Sequence, residues 1–330
     1  MVLIVATPLS TSRTIGHGNG EVKVLIADSV DELLIEELER LGFKVSYKPK
    51  ISRVELLNTI EDFDILIVRS RTKVDREVIS RANKLKVIAR AGVGLDNIDV
   101  EYARSKNIKI VNTPEAPTQS VAELTIGLMI TAARKIVELC NNVKSGIWRK
   151  EYGFELYGKR LGIIGLGRIG GRVAEIAKAI GMDVIAYDVV DVSLKAKRLG
   201  VKLVSTIEEL YEDSDIISLH VPLTKETYHM VSYREFNMMK DNVILINTSR
   251  GGVVDGKALL EALNKFKVLV AALDTLEHEP PKEPWEIELV KHPRVIVTPH
   301  IGSQTVEAQR RIAEVLVSKL VNIIEWVQRG

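Results

Sequence analysis

Cysteine is almost missing from this sequence. Cys140 is the one thiol in 330 residues, which excludes an internal disulfide framework and any cysteine-based metal cluster and fits a reducing, cytoplasmic compartment. Long apolar runs are missing too. No segment approaches the ~20 residues that span a bilayer, and the apolar start "MVLIVATPLS" lacks a basic n-region and a convincing cleavage site. Charge imbalance is the third absence. Lys and Arg number 46 against 44 Asp and Glu, a net charge of +2. That leaves no electrostatic case for nucleic acid, and no basic stripe with interleaved aromatics is found.

What is present is ample core material. Apolar residues make up 46% and charged ones 27% of a chain whose length predicts two domains. Residues 1–20, ending in "GHGNG", read as a leader or flexible extension, and the fold is expected to begin at Glu21.

From Val22 the chain alternates between short Val/Ile/Leu strands and amphipathic helices: "VKVLIAD", "VDELLIEELERLG" with Gly42 as its stop, "KVSYK", "FDILIVRS", "LKVIARAG" and "IKIVNT". This pattern predicts a parallel sheet covered on both faces. The series closes near Thr113. A Pro-rich break then leads into "TQSVAELTIGLMITAARKIVELCNN", expected to be one long helix and a plausible interdomain hinge. Ser120 and Glu123 have the spacing of a capping box at its start. A second βα series begins at Leu161 and runs through "DVIAYD", "DIISLHVP", "NVILINTS", "VLVAALD" and "RVIVTPH", and a final helix follows. The fold class expected is α/β, with two doubly wound parallel-sheet lobes.

The second series opens with G-x-G-x-x-G. Gly165 permits a tight turn, Gly167 lets a pyrophosphate approach the backbone, and Gly170 allows close helix–strand packing. The helix that follows offers free N–H groups and its positive dipole end to phosphates. Asp188 ends the next strand 188 − 170 = 18 residues later, where a carboxylate accepts ribose hydroxyls and repels a 2′-phosphate. Val189 and Val190 supply no arginine for NADP. These residues predict binding of NAD. A second glycine pair, Gly92 and Gly94 in "RAGVGLDN", reads equally as a plain turn or as an anion-binding one.

Hydride chemistry on a hydroxyl–carbonyl couple needs a proton carrier, and histidine titrates in the right range. Two histidines end strands of the second series, His220 and His300, at the carboxyl edge where open α/β sheets bind ligands. His229, His278 and His292 sit among polar or turn residues. Arg250 follows a strand in "INTSRGG", where its planar fork could hold a carboxylate. Asp274 and Glu279 in "ALDTLEHEPP" are candidate partners for an imidazole.

Taken together, "VRSRTKV", "ARAGVGLDNID", "SVAELTIGLM", "GKRLGIIGLGRIGGRV", "NTSRGGVVD", "AALDTLEHEPP" and "TPHIGS" resemble the D-isomer-specific 2-hydroxyacid dehydrogenases over residues 22–328. Within that family the chain is most similar to the branch acting on 3-phosphoglycerate. The resemblance implies that Arg250, Glu279 and His300 are the substrate arginine, the dyad acid and the general acid/base. It implies NAD contacts at Arg168, Ile169, Asp188, Val221, Thr248, Asp274 and Ser303, and a carboxylate-binding turn at Val93 and Gly94. It further implies anion-binding roles for Arg69 and Arg90. Its topology is a Rossmann NAD domain, 118–303, inserted into a flavodoxin-like substrate domain, 21–117 plus 304–330, with the active site in the cleft. A homodimer through the NAD domain is implied as well. One helix follows His300, so amino-acid feedback through an appended C-terminal domain, common in that branch, is not expected. Readings carried alongside are a hydroxypyruvate/glyoxylate reductase, another D-2-hydroxyacid dehydrogenase, and a non-enzymatic NAD(H)-sensing corepressor.

Overall fold

A computed structural model describes residues 21–328; the expected leader over 1–20 lies outside them. The chain divides into two compact units, one of Met1–Ala116 with Gln309–Gly330, the other of Pro117–Ala308.

The first unit holds five parallel strands: β1 (Lys23–Ile26), β2 (Lys44–Tyr47), β3 (Ile65–Val68), β4 (Val87–Arg90) and β5 (Lys109–Asn112). Their order is β2-β1-β3-β4-β5, the flavodoxin-like arrangement. Every residue of β3, "ILIV", is buried, as a strand covered on both faces requires. Asp31, Ser52, Asp75 and Asp99 each cap the helix that follows by accepting a backbone N–H. The helix Val306–Gln328 completes one face. Ile312, Ala313, Leu316, Val317 and Leu320, at helical spacing, join the core formed by Val24, Ile26 and Ile67. Arg311 and Lys319 on the same helix donate to the carbonyls of Ala116 and Asn112.

In the second unit, seven parallel strands are β6 (Arg160–Ile164), β7 (Asp183–Tyr187), β8 (Lys202–Leu203), β9 (Ile216–Leu219), β10 (Val243–Asn247), β11 (Val268–Leu273) and β12 (Val295–Val297). The order β12-β11-β10-β9-β6-β7-β8 is the Rossmann order 3-2-1-4-5-6 counted from β6, extended by one strand. Two apolar clusters, one on each face, sandwich the sheet. No helix among the described residues is long and apolar enough to cross a membrane.

The segment after the Pro-rich break departs from expectation. It forms two helices, Thr118–Ala133 and Ile136–Lys144, separated at Lys135 with φ of 53°. A left-handed residue cannot continue a right-handed helix, so the chain turns there. The capping box is absent as well. The helix has already begun at Thr118, Ser120 Oγ donates to the Pro117 carbonyl, and Glu123 instead accepts from the Gln119 side chain. Reciprocal boxes occur elsewhere, at Ser232/Glu235 and Glu283/Glu286.

Tyr211 is 1% exposed within the core of the second unit, and its hydroxyl has no hydrogen-bond partner among the described residues. An unsatisfied buried hydroxyl costs about 1–3 kcal/mol. Tyr211→Phe is therefore expected to leave the unfolding midpoint of this unit in urea unchanged or higher. A loss of about 1 kcal/mol or more would show that the hydroxyl is in fact satisfied in solution.

Candidate functional site

The site of the second unit is assembled at the carboxyl ends of β6, β7, β9, β10, β11 and β12. After β6, Gly165 takes φ of +93°, and a Cβ there would lie 2.5 Å from the His220 carbonyl oxygen. At Gly170 a Cβ would lie 2.1 Å from the Gly165 carbonyl oxygen. Both positions therefore need glycine. Gly167 differs, because among the described residues nothing lies within 4 Å of where its Cβ would stand. That space borders the N-terminus of the helix Arg168–Ala179, which no side chain caps. Its first N–H groups, including those of Arg168, Ile169 and Gly170, have no intrahelical acceptor. An open cradle at the positive end of a helix fits a diphosphate.

Asp188, at the end of β7, fixes this turn from the other side. Its Oδ2 accepts the Leu166 N–H at 2.8 Å and its Oδ1 the Val190 N–H at 3.1 Å. Each carboxylate oxygen keeps a further lone pair for a ribose hydroxyl. The residues present therefore fit NAD. Val221, after β9, is partly buried against the core. Thr248, after β10 and 8% exposed, shares a 2.9 Å hydrogen bond with Thr125, whose hydroxyl in turn donates to the Val121 carbonyl. Thr125 gave no signal in the sequence; only the fold brings it to Thr248.

The two strand-end histidines part company. His220 shares a 2.9 Å bond with Ser218 Oγ, and burial pushes its pKa down to about 3. It is neutral throughout the physiological range. His300 instead has its Nδ1 2.8 Å from Glu279 Oε2, with both side chains about two-fifths exposed. Facing a carboxylate, Nδ1 is the donor of this pair, and in the neutral imidazole that leaves the Nε2 lone pair free to accept a proton. Glu279 is itself held by the Leu276 N–H to its Oε1.

His300 sits at φ of 55°, a left-handed conformation that costs an ordinary residue about 1 kcal/mol or more. Asp274 holds it there. That carboxylate is 1% exposed; Oδ1 accepts from Thr298 Oγ1 and the Ile301 N–H, and Oδ2 from the Gly302 N–H. The loop from Thr298 to Gly302 is thus tied down on both sides of His300. Ser303 follows it directly.

Arg250 is placed by Asn247. Its side-chain Oδ1 accepts from the Ser249 N–H and hydroxyl, and its Nδ2 donates to the Arg250 carbonyl. The next residue allows close backbone contact, since a Cβ on Gly251 would lie 1.9 Å from the Leu276 carbonyl carbon. The Arg250 turn and the Glu279 loop are therefore pressed together. A cavity of about 400 Å³ is bounded by His300, Glu279, Pro280 and Val297.

The first unit carries the remaining sequence candidates. Val93 and Gly94 lie in the loop after β4, where Asn112 donates to the Val93 carbonyl. Neither of their N–H groups donates to an acceptor among the described residues. Arg90 ends β4, with Nη1 donating to the Ala91 carbonyl. Arg69 follows β3. Its backbone N–H donates to Asp28 Oδ2 at 2.6 Å, its Nη1 reaches the Ser29 carbonyl, and burial draws its pKa below the usual guanidinium value despite Asp28. Asp28, 2% exposed, also accepts from Thr72 and Arg71, while Asn97 donates to the Arg69 and Thr72 carbonyls. This frame for Arg69 had no recognisable spacing in the sequence.

Comparison with known proteins places the chain in a family. The family model for the NAD-binding domain of the D-isomer specific 2-hydroxyacid dehydrogenases matches residues 126–302. D-3-phosphoglycerate dehydrogenase of Methanocaldococcus jannaschii is 48% identical over 92% of this chain. The chain spans 57% of that relative's length, just over half. Hydroxypyruvate reductase of Thermotoga maritima is 46% identical over 82% of this chain and 88% of its own. Among solved structures, D-lactate dehydrogenase from Aquifex aeolicus, complexed with NAD and lactic acid, superposes with a TM-score of 0.82. It is 32% identical and covers 93% of this chain and 96% of its own. With its glycine turn, its acid after β7 and these likenesses, the chain belongs to the D-isomer specific 2-hydroxyacid dehydrogenase family and carries that family's NAD-binding domain.

Proposed function

We propose that the chain catalyses the NAD-dependent oxidation of D-3-phosphoglycerate to 3-phosphohydroxypyruvate, the reaction that opens L-serine synthesis. The observation that carries the reading is the 2.8 Å His300–Glu279 pair, built into the same unit as the glycine turn. The Gly165–Gly170 turn and Asp188 would hold NAD, which when bound would supply the acceptor for the hydride of C2. His300 Nε2 takes the proton of the C2 hydroxyl, and the Glu279 carboxylate stabilises the imidazolium that forms. Arg250 holds the substrate carboxylate and polarises the C2 oxygen, an interaction that strengthens as charge develops there. In the reverse direction the same imidazolium returns the proton.

The phosphorylated substrate rests on the first unit, which we assign as the substrate-binding one. Arg69 carries a partly desolvated guanidinium on a backbone fixed by Asp28 and Asn97, and desolvation strengthens its attraction for an anion. We assign it and Arg90 to the phosphate, and the Val93 and Gly94 N–H groups to the carboxylate. The hydroxypyruvate reductase relative supports a second reading, an unphosphorylated 2-oxo acid as substrate.

We also propose a homodimer through the NAD-binding unit. The helix Ile136–Lys144 buries none of its residues. With the segment after it, it displays Ile136, Val137, Val143, Ile147, Trp148 (84% exposed) and Tyr152 (97% exposed), an apolar surface of the kind that marks an interface.

Three outcomes are expected. His300→Asn and Glu279→Gln should each lower kcat, the former by about 10²–10⁴, while NADH binding by fluorescence titration stays within twofold of the parent. Loss of NADH binding in step with kcat would contradict the roles given. Steady-state kinetics on a panel of D-2-hydroxy acids should show that Arg69→Ala reduces kcat/KM for 3-phosphoglycerate by about 10–100-fold and spares unphosphorylated acids; equal losses would favour the reductase reading. Sedimentation equilibrium should return twice the chain mass, falling towards one chain mass in Trp148→Glu.

A further inference from the structure

Three consecutive residues in the loop after β11 each meet a partner, and each meeting joins a histidine to a carboxylate. Glu279 takes His300. His278 lies against Glu286, with its backbone N and Nδ1 both 3.1 Å from Glu286 Oε1. Burial alone would raise the pKa of Glu286, but the N–H groups of Glu283, Lys282 and His278 and the His278 ring outweigh it and hold that carboxyl below its usual range. Glu277 is the third. Its Oε1 accepts the Gly256 N–H at 3.3 Å and lies 3.1 Å from Nε2 of His229.

His229 does more than face Glu277. Its backbone N–H donates to the Gly252 carbonyl at 2.8 Å, two residues beyond Arg250. Its ring stacks on Tyr228 at 3.9 Å, and Nδ1 is 4.0 Å from Asp255 Oδ2. Nε2 is buried, and its approach to the carboxylate is off the direction of a well-aligned hydrogen bond. The residue stands at φ of 52°, where glycine or asparagine would be cheaper. Its ring contacts are what favour histidine at this position. One residue thus grips the Arg250 turn with its backbone and the Glu279 loop with its side chain.

We propose that His229 is a positioning residue: with Glu277 it locks the Arg250 turn to the Glu279 loop and so fixes the separation between the substrate-binding guanidinium and the proton-carrying imidazole. The inference rests on the catalytic reading of Arg250, Glu279 and His300.

The test uses the full chain and four variants: His229→Leu, His229→Gln, Glu277→Leu and the double variant His229→Leu/Glu277→Leu. Steady-state kinetics and amide hydrogen exchange are measured on each. His229→Leu should lower kcat about 10–100-fold, raise KM for the 2-hydroxy acid and leave KM for NAD within twofold. His229→Gln, which returns an N–H near the same carboxylate, should restore most of kcat. The double variant should lose clearly less than the product of its parents' losses, because both changes break the shared His229–Glu277 contact. Amides of residues 276–279 should exchange at least tenfold faster in His229→Leu and not in His229→Gln. Parental kinetics in His229→Leu, additive losses in the double variant, or equal losses towards NAD and acid would each overturn the proposal. If His229→Leu does not fold, Glu277→Leu breaks the same contact from the other side and is read in the same way. If the parent turns over no 2-hydroxy acid, the catalytic reading fails by itself and exchange decides: faster exchange at 276–279 supports the lock, unchanged exchange overturns it.

Discussion

A single buried carboxylate governs the geometry of the site. Asp274 is 1% exposed and gives its two oxygens to Thr298, Ile301 and Gly302. Removing a carboxylate from water is expensive unless several donors meet it, and those donors come from the segment that surrounds His300. The left-handed backbone of His300 is sustained by this arrangement. Whatever chemistry the imidazole performs, it performs it where Asp274 has placed it.

The sheet explains why so many functional candidates meet. In a parallel sheet all carboxyl ends lie on one edge, and the order β12-β11-β10-β9-β6 sets the loops after these strands side by side. The glycine turn, Val221, Thr248 and Arg250, Asp274 and Glu279, and His300 arise from five adjacent strands in that sequence. Between β6 and β9 the connections depart in opposite directions, the switch point at which such folds bind ligands. The narrow approach of Gly165 to the His220 carbonyl lies at that place.

Periodicity in the sequence was enough for the strands and most helices, because strands buried on both faces are written almost wholly in Val, Ile and Leu. The glycine turn and Asp188 were legible for a related reason: their function depends on spacing along the chain. Glu279 with His300 was not legible that way. Twenty-one residues separate them, and nothing local encodes that a loop folds back onto a strand end. Ser120 and Glu123 misled because a capping box and an ordinary first helical turn share one spacing, and Pro117 had already started the helix. Lys135 was missed because a lysine gives no warning of a positive φ.

His229 and His278 were passed over as turn residues, and the reason is instructive. A histidine's role depends on what faces its two nitrogens, and the sequence is silent about that. The structure shows Glu277, His278 and Glu279, which lie in a bend of the chain, each facing a different partner. Such a loop cannot shift to favour one pair without straining the other two. Adjacent ionisable residues in a turn usually signal a solvated surface. Here each of the three successive side chains faces a different partner in the same unit. Glu279, two-fifths exposed where it lines a cavity, holds its imidazole at 2.8 Å.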